Sequence, residues 1–221
     1  MWRNIQHILW DWNGTLLNDF PTCHGIVNTL AGEWGIEPVD VELCREKFRH
    51  PVEEFYRDLG FDFSERGYNE LLRSFITHYS KESSTIGLHE GAEEALRWFH
   101  SGGYSQQILS AYPHDAIEES IAPHGIRHYF REVWGAGDAG GVGKLELGRA
   151  LFRHLGYSPA ETVLIGDTDH DAEVARALGV ECILVPNGHQ AHSVIARQGF
   201  PVAGSLAEAL ALFRPHRVAA A

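Results

Sequence analysis

Apolar residues fall into two patterns along this chain. Short continuous runs bounded by turn residues read as buried strands, and apolar positions at steps of three and four read as helices. Residues 5 to 11 form the first run, which ends at Ile8-Leu9-Trp10 and is closed by Asp11. Asn13 and Gly14 follow, and Gly14 lets the backbone turn without a Cβ clash, so Asp11 is placed at the carboxyl end of a strand. From Pro21 to about Ser83 the pattern is helical, with no convincing strand. Ile26, Leu30 and Trp34 share one helix face, stopped by Gly35. Val41, Cys44 and Phe48 mark a short second helix that ends before Pro51. Val52, Phe55, Tyr56 and Leu59 mark a third, closed by Gly60, and Tyr68, Leu71, Leu72, Phe75, Ile76 and Tyr79 mark the clearest of all.

The polar stretch Ser83–Gly87 reads as a return linker. Gly91 then precedes Ala92, Ala95, Leu96 and Phe99, an amphipathic helix stopped by Gly102-Gly103. Beyond it, strands are predicted at 106–111, 132–136, 162–166 and 181–185, with a weaker one near Val202. Helices are predicted near 114–122, 145–155, 170–178 and 206–213, and the tail after Pro215 is expected to fray. Strand-helix alternation implies a parallel sheet with helices on both faces and excludes a helical bundle. The fold class is therefore α/β, a doubly wound parallel sheet, with residues 1–17 and 86–221 as the core and 18–85 as an inserted helical block.

With 221 residues there is room for one domain plus an insertion, and 44% hydrophobic residues supply a full core. A formal net charge of -12 argues against a nucleic-acid partner, which needs a basic face. No apolar run approaches the roughly 18 residues of a membrane span. Met1-Trp2-Arg3-Asn4 leads straight into the first strand, so no signal peptide is expected. Cys23, Cys44 and Cys182 are scattered and odd in number, which points to a reducing cytoplasm rather than a disulfide framework or zinc site. A monomer or homodimer is expected. Fourteen histidines include no convincing metal-binding pair.

The chemistry sits where strands end. Asp11 can act as a carboxylate nucleophile. Ser110, in Leu109-Ser110-Ala111, can donate its hydroxyl to a phosphate oxygen. Lys144 follows the glycine-rich segment Gly135–Gly143 and opens a helix, where its charge opposes the helix dipole, so a role at a phosphate would explain it. Val163-Leu164-Ile165-Gly166-Asp167-Thr168-Asp169-His170-Asp171 places three acids at alternating positions. Three close carboxylates repel each other unless a cation is near, and Mg²⁺ prefers such hard oxygen ligands.

Asp11-Trp12-Asn13-Gly14-Thr15, with Ser110, Lys144 and Asp167 in that order, resembles the haloacid dehalogenase-like superfamily, specifically its phosphoglycolate-phosphatase-like branch. The resemblance implies that residues 18–85 are a cap domain over the active site. It implies Mg²⁺ held by Asp11, Asp167 and the Asn13 carbonyl, with Asp171 a ligand or a partner behind the ligands. Asp169 falls at a variable position of the motif and reads as a cap. It also implies a small phosphorylated metabolite as substrate, met by Gly14, Thr15, Ser110, Ala111 and Lys144, with Arg49 and His50 reaching down from the cap.

The chain departs from that family at Asn13, where its phosphatases carry the Asp that protonates the leaving oxygen and activates water. An amide cannot do either at neutral pH, so three readings compete: a good leaving group or a substitute acid from the cap such as His50, a crippled or engineered Asp-to-Asn form, or binding of phosphorylated ligands without catalysis. A carbon–phosphorus hydrolase using a Schiff-base lysine is a further reading, with Lys47 as the cap lysine, although Arg45, Glu46 and Arg49 around it look like a solvated helix face.

Overall fold

The computed structural model describes residues 2–137 and 143–213. Five strands form one parallel sheet in the order β3-β2-β1-β4-β5: β1 His7–Trp10, β2 Ser105–Pro113, β3 Glu132–Ala136, β4 Thr162–Gly166 and β5 Glu181–Leu184. Helices α1 Phe20–Glu33, α2 Val41–Lys47, α3 Val52–Asp58 and α4 Tyr68–Glu82 lie between β1 and the rest. They are followed by α5 Ala92–Ser101, α6 His114–Ile121, α7 Lys144–Leu155, α8 Asp169–Leu178, α9 His192–Ile195 and α10 Leu206–Ala211. No helix among the described residues is long and apolar enough to cross a membrane.

A parallel sheet must be covered on both faces, and alternating side chains of each strand serve the two cores. Ile8, Trp10, Ile108, Val163 and Ile165 pack into the larger core, where Trp10 meets Phe99 edge-on at 5.8 Å. Leu9, Leu109, Leu164 and Cys182 face the opposite way and pack with Leu151, Ala172 and Ala175 of α7 and α8. Each fully buried Leu, Ile or Val of these cores contributes about 1.5–3 kcal/mol through its removal from water.

The predicted elements are present, with differences at their ends. β2 runs two residues past Ala111, and its register against β3 shifts between Leu109 and Pro113. An irregular strand next to a site re-aims its side chains, and Ser110 lies within this stretch. The segment near Val202 makes a single bridge to Leu184, flanked by Leu184 N–H donating to Pro201 and Ala203 N–H donating to Leu184. α9 is one turn long, too short for a periodic signal. Residues 138–142 of the glycine-rich segment and the tail from 214 lie outside the described residues.

The sheet order sets the site. The chain moves from β1 outward through β2 to β3, then crosses back to place β4 on the other side of β1. Connections therefore diverge between β1 and β4, and ligands bind in the crevice beyond the carboxyl ends at such a switch point. Trp10 pairs with Ile165 and with Ile108, so the residues that follow all three strands emerge side by side. The helical block leaves and rejoins the core at one place: Leu17 bridges Leu88 in antiparallel fashion, Asn18 N–H donates to Gly87 and His89 N–H donates to Leu16, both at 2.9 Å.

Candidate active site

Three loops meet beyond the carboxyl ends of the central strands. The Trp12–Leu17 loop is curled tightly, with the Trp12 carbonyl accepting the amides of Thr15, Leu16 and Leu17. Gly14 sits at φ 77°, and a Cβ there would lie 2.4 Å from Asp167 Oδ2. Gly188, in the loop after β5, approaches Asp167 more closely still, since its Cβ would fall 2.0 Å from the same oxygen. Both positions need glycine because backbone wraps the Asp167 carboxylate from two sides.

Asp11, Asp167 and Asp171 are buried, and their oxygens lie within 4.8 Å of one another. The Lys144 ammonium, only 3% exposed, is hydrogen-bonded to both Asp11 and Asp171. That burial explains a lysine in the first turn of α7, where the dipole alone would disfavour it. The Thr15 hydroxyl lies 3.2 Å from Asp11 Oδ2 and 3.0 Å from Asp167 Oδ1. Asp167 Oδ2 accepts the His189 backbone N–H at 2.7 Å. Asp171 Oδ2 accepts both the N–H and the hydroxyl of Thr168. Thr168 and Asp171 thus form a capping box at the start of α8. Asp169 does not cap; it accepts from Gln190 Nε2 at 2.8 Å.

The electrostatics divide the acids. Burial pushes the carboxyls of Asp11 and Asp167 upward; Lys144 partly opposes this at Asp11, and the His189 charge partly opposes it at Asp167. Burial also acts on Asp171, but Lys144 and Thr168 outweigh it and hold that carboxyl low. One lysine therefore faces three buried carboxylates. An all-oxygen donor set with surplus negative charge fits a hard divalent cation, which would relieve the charge that burial penalises. Asp167 is the acid that Lys144 leaves unpaired.

A second buried network lies beside the first. Asp19 Oδ1 accepts from the Gly14 N–H at 2.8 Å and from His189 Nε2 at 3.1 Å. Its Oδ2 accepts from the Asn13 amide at 2.8 Å and from the Tyr79 hydroxyl at 3.0 Å. Burial acts to raise Asp19, and His189, Asn13 and Tyr79 bring it low instead; burial acts to lower His189, and Asp19 lifts it to about 9. The Asn13 amide is thus turned onto Asp19 and Tyr79.

Asp11, Asn13, Ser110, Ala111, Lys144, Asp167, Asp171 and His50 all line one cavity of about 760 Å³. Gly14 and Thr15, expected to meet the substrate, do not line it: their amides are turned to Asp19, Leu17 and Trp12 and the Thr15 hydroxyl to Asp11 and Asp167. Ser110 is buried and accepts the Tyr112 N–H at 3.1 Å. Arg49 departs from expectation. Its side chain is 46% exposed and pairs with Glu54 and Asp58, because it lies past the end of α2 and points along α3. The arginine that reaches from the helical block to the core is Arg45, which donates to the Gly188 and Asn187 carbonyls and stacks over Phe20 at 4.2 Å. Arg45 therefore does not share the solvated face expected for it. Lys47 is exposed and off the cavity wall, which removes it as an imine-forming lysine.

Sequence reasoning also missed Asp19, Tyr79 and His189. His189 had a usable signal: it lies in the turn after β5, on the same sheet edge as Asp11 and Asp167. Asp19 and Tyr79 had none, since both read as ordinary positions of a crossing and a helix.

A doubly wound sheet here carries a strand-end aspartate at its switch point, beside a buried lysine and a clustered pair of further acids. The haloacid dehalogenase-like hydrolase profile matches residues 8–185, and the chain belongs to that family. Its curated relatives include a phosphoglycolate phosphatase of Synechococcus elongatus, 26% identical over 187 residues, covering 83% of this chain and 85% of the relative. Another is a phosphoglycolate phosphatase of Pseudomonas fluorescens, 24% identical over 201 residues, covering 86% and 73%. Among solved structures, a haloacid dehalogenase-like hydrolase from Streptococcus pneumoniae superposes with a TM-score of 0.83 at 20% identity, covering 95% of this chain and 99% of that one. CbbY from Rhodobacter sphaeroides in complex with xylulose-1,5-bisphosphate gives 0.71 at 22%, covering 92% and 96%. At these identities the structural likeness is one of fold.

Proposed function

We propose that the chain hydrolyses a phosphate monoester through a phosphoryl group carried on Asp11, with Mg²⁺ as the metal. The observation that supports this most is the meeting of Asp11, Ser110, Lys144 and Asp167 in one crevice, although they are up to 156 residues apart in sequence. Asp11 attacks phosphorus as the P–O bond to the ester oxygen breaks, and that oxygen takes a proton from solvent water to leave as an alcohol; water then attacks the aspartyl-phosphate, returns a proton to solvent and releases inorganic phosphate, regenerating the Asp11 carboxylate. Phosphoryl transfer needs chiefly positioning and charge neutralisation. Lys144 holds the Asp11 carboxylate in place and adds positive charge beside it. Ser110 faces the transferred oxygens. Asp11, Asp167 and the Asn13 carbonyl would hold Mg²⁺, which would supply the remaining charge neutralisation. Asp171 keeps Lys144 oriented. Residues 18–85 act as a cap domain over residues 1–17 and 86–221, and three free thiols suit a cytoplasmic setting.

Asn13 limits the rate. Its side chain donates to Asp19 and Tyr79 and has no proton to give the leaving oxygen. Asn13→Asp places a carboxylic acid there, against an existing acid that favours keeping a proton between them. The expected result is a gain of up to roughly 10²–10⁴ in turnover, the usual scale of acid–base assistance. Steady-state kinetics on a panel of esters, with acid-quench trapping of phosphoryl-Asp11, checks it. If neither form turns over any ester or traps a phosphoryl group, the chain is a phosphometabolite-binding protein.

A further inference from the structure

The floor of the cavity is polar, whereas its upper wall is mostly apolar, interrupted by Ser80, Ser83 and Ser84. Phe20, Val27 and Phe55 are buried in that wall, and Leu72, Phe75 and Ile76 continue it along α4. Leu72 and Ile76 remain 37% and 56% exposed, large apolar side chains left open to the cavity. Exposed apolar surface of this kind marks a place that something apolar covers. Among the described residues the wall holds one lysine or arginine, Lys144, and its ammonium is already shared by Asp11 and Asp171. The wall histidines are engaged as well: His24 Nε2 meets the Val39 carbonyl at 2.7 Å, His189 is paired with Asp19, His50 packs against the His170 ring at 4.7 Å, and His170 Nδ1 lies 3.6 Å from Glu173. The exposed acid Glu119 stands on the same wall. A second anionic group on the substrate would find no free cation there and would face an acid. A cavity of about 760 Å³ also lies within the range of about 300–1,000 Å³ that holds a ligand many atoms larger than a phosphate with two carbons.

Resting on the monoesterase reading above, we infer that the alcohol half of the substrate is a bulky apolar group, alkyl or aromatic, and carries no second phosphate or carboxylate. The phosphate sits on the polar floor, and the apolar portion lies against Phe20, Phe55, Leu72 and Phe75. The wall then discriminates by buried area, which is a graded quantity, while the floor treats all monoesters alike.

The test uses phosphates of straight-chain primary alcohols from ethyl to octyl, which keep the leaving-group chemistry constant, beside phosphoglycolate. The expected result is a kcat/KM that rises about fourfold per added methylene until the cavity is filled, from the transfer energy of a methylene, with phosphoglycolate the poorest substrate. Leu72→Arg supplies a cation to the wall and should flatten that slope while raising phosphoglycolate turnover about tenfold. Ile76→Lys does the same from a more exposed position if the first variant folds poorly. A flat or falling series, or phosphoglycolate preferred by the unmodified protein, overturns the inference. Calorimetric binding of octylphosphonate and phosphonoacetate in the presence of Mg²⁺ separates the two readings. If no ester is hydrolysed but octylphosphonate binds more tightly, the hydrolase reading falls and the apolar wall stands. If phosphonoacetate binds as tightly or better, the wall reading falls whatever the kinetics show.

Discussion

The floor and the roof of the cavity are built on opposite principles. On the floor every charged group has a named partner: Lys144 serves Asp11 and Asp171, Thr15 bridges Asp11 and Asp167, and the His189 backbone amide holds Asp167. The roof is made of side chains that fill space, and it is fastened to the core at few points. Arg45 reaches the Asn187 and Gly188 carbonyls, Ala191 N–H donates to Arg45, and Gln190 donates to the Phe48 carbonyl at 2.8 Å. A floor of this kind tolerates almost no change in position, whereas a roof of packed side chains tolerates changes of shape at constant volume. Chemistry is fixed below and selectivity is adjustable above.

The comparison breaks most visibly at Asp167. Asp167→Asn removes one of three mutually repelling buried carboxylates and the proposed metal's main independent ligand. Turnover is expected to fall by roughly 10³ or more, as when a strong electrostatic contact to the transition state is lost. The sign on stability should be opposite: melting without metal is expected to rise, and the stabilisation that saturating Mg²⁺ gives the unmodified protein should vanish. Scanning calorimetry with and without Mg²⁺ reads both, and an undiminished Mg²⁺ shift would remove Asp167 from the metal site. Gly188→Ala is the steric counterpart. Its Cβ must push against a carboxylate whose other side is already held by Thr15 and Gly14, so about 1–3 kcal/mol of stability and most of the activity should be lost. Chemical denaturation measures it. Arg45→Ala probes the roof. Two hydrogen bonds and the stacking on Phe20 disappear, which should cost about 1–2 kcal/mol. Because Arg45 does not line the cavity, KM should rise several-fold with kcat nearly unchanged. An equal fall in kcat would show that the fastening shapes the floor as well.

The same contrast explains what could be read in advance. Asp11, Ser110, Lys144 and Asp167 announce themselves because each terminates an apolar run or opens a helix against its dipole. Local patterning therefore carries their positions, and the strand order then brings them together. The roof has no such local signature. Arg45 and Arg49 stand four apart in one charged stretch, and only the end of α2 at Lys47 decides which of them turns to the core. The Asp19–His189 pair spans 170 residues and depends on how the block seats on the turn after β5. The cap expected of Asp169 falls to its neighbours for a similar reason: the cap of α8 starts at Thr168, so Asp171, three positions on, completes the capping box while still holding Lys144.

The paired crossing at Leu17 and Leu88 makes the four-helix block a detachable module. Entry and exit run antiparallel and hydrogen-bonded, so the core meets the insertion as if it were the loop of a hairpin. Joining Asn18 to Gly87 through a tight Asn-Gly turn would close the core without moving β1 or α5. The sheet, the nucleophile and the lysine would stay in place, while the fastening at 187–191 would lose its partners. A lineage carrying this architecture can therefore exchange one roof for another at a single seam, with the one demand that each new roof again supply the acid that Asp19 gives to Gly14, Asn13 and His189.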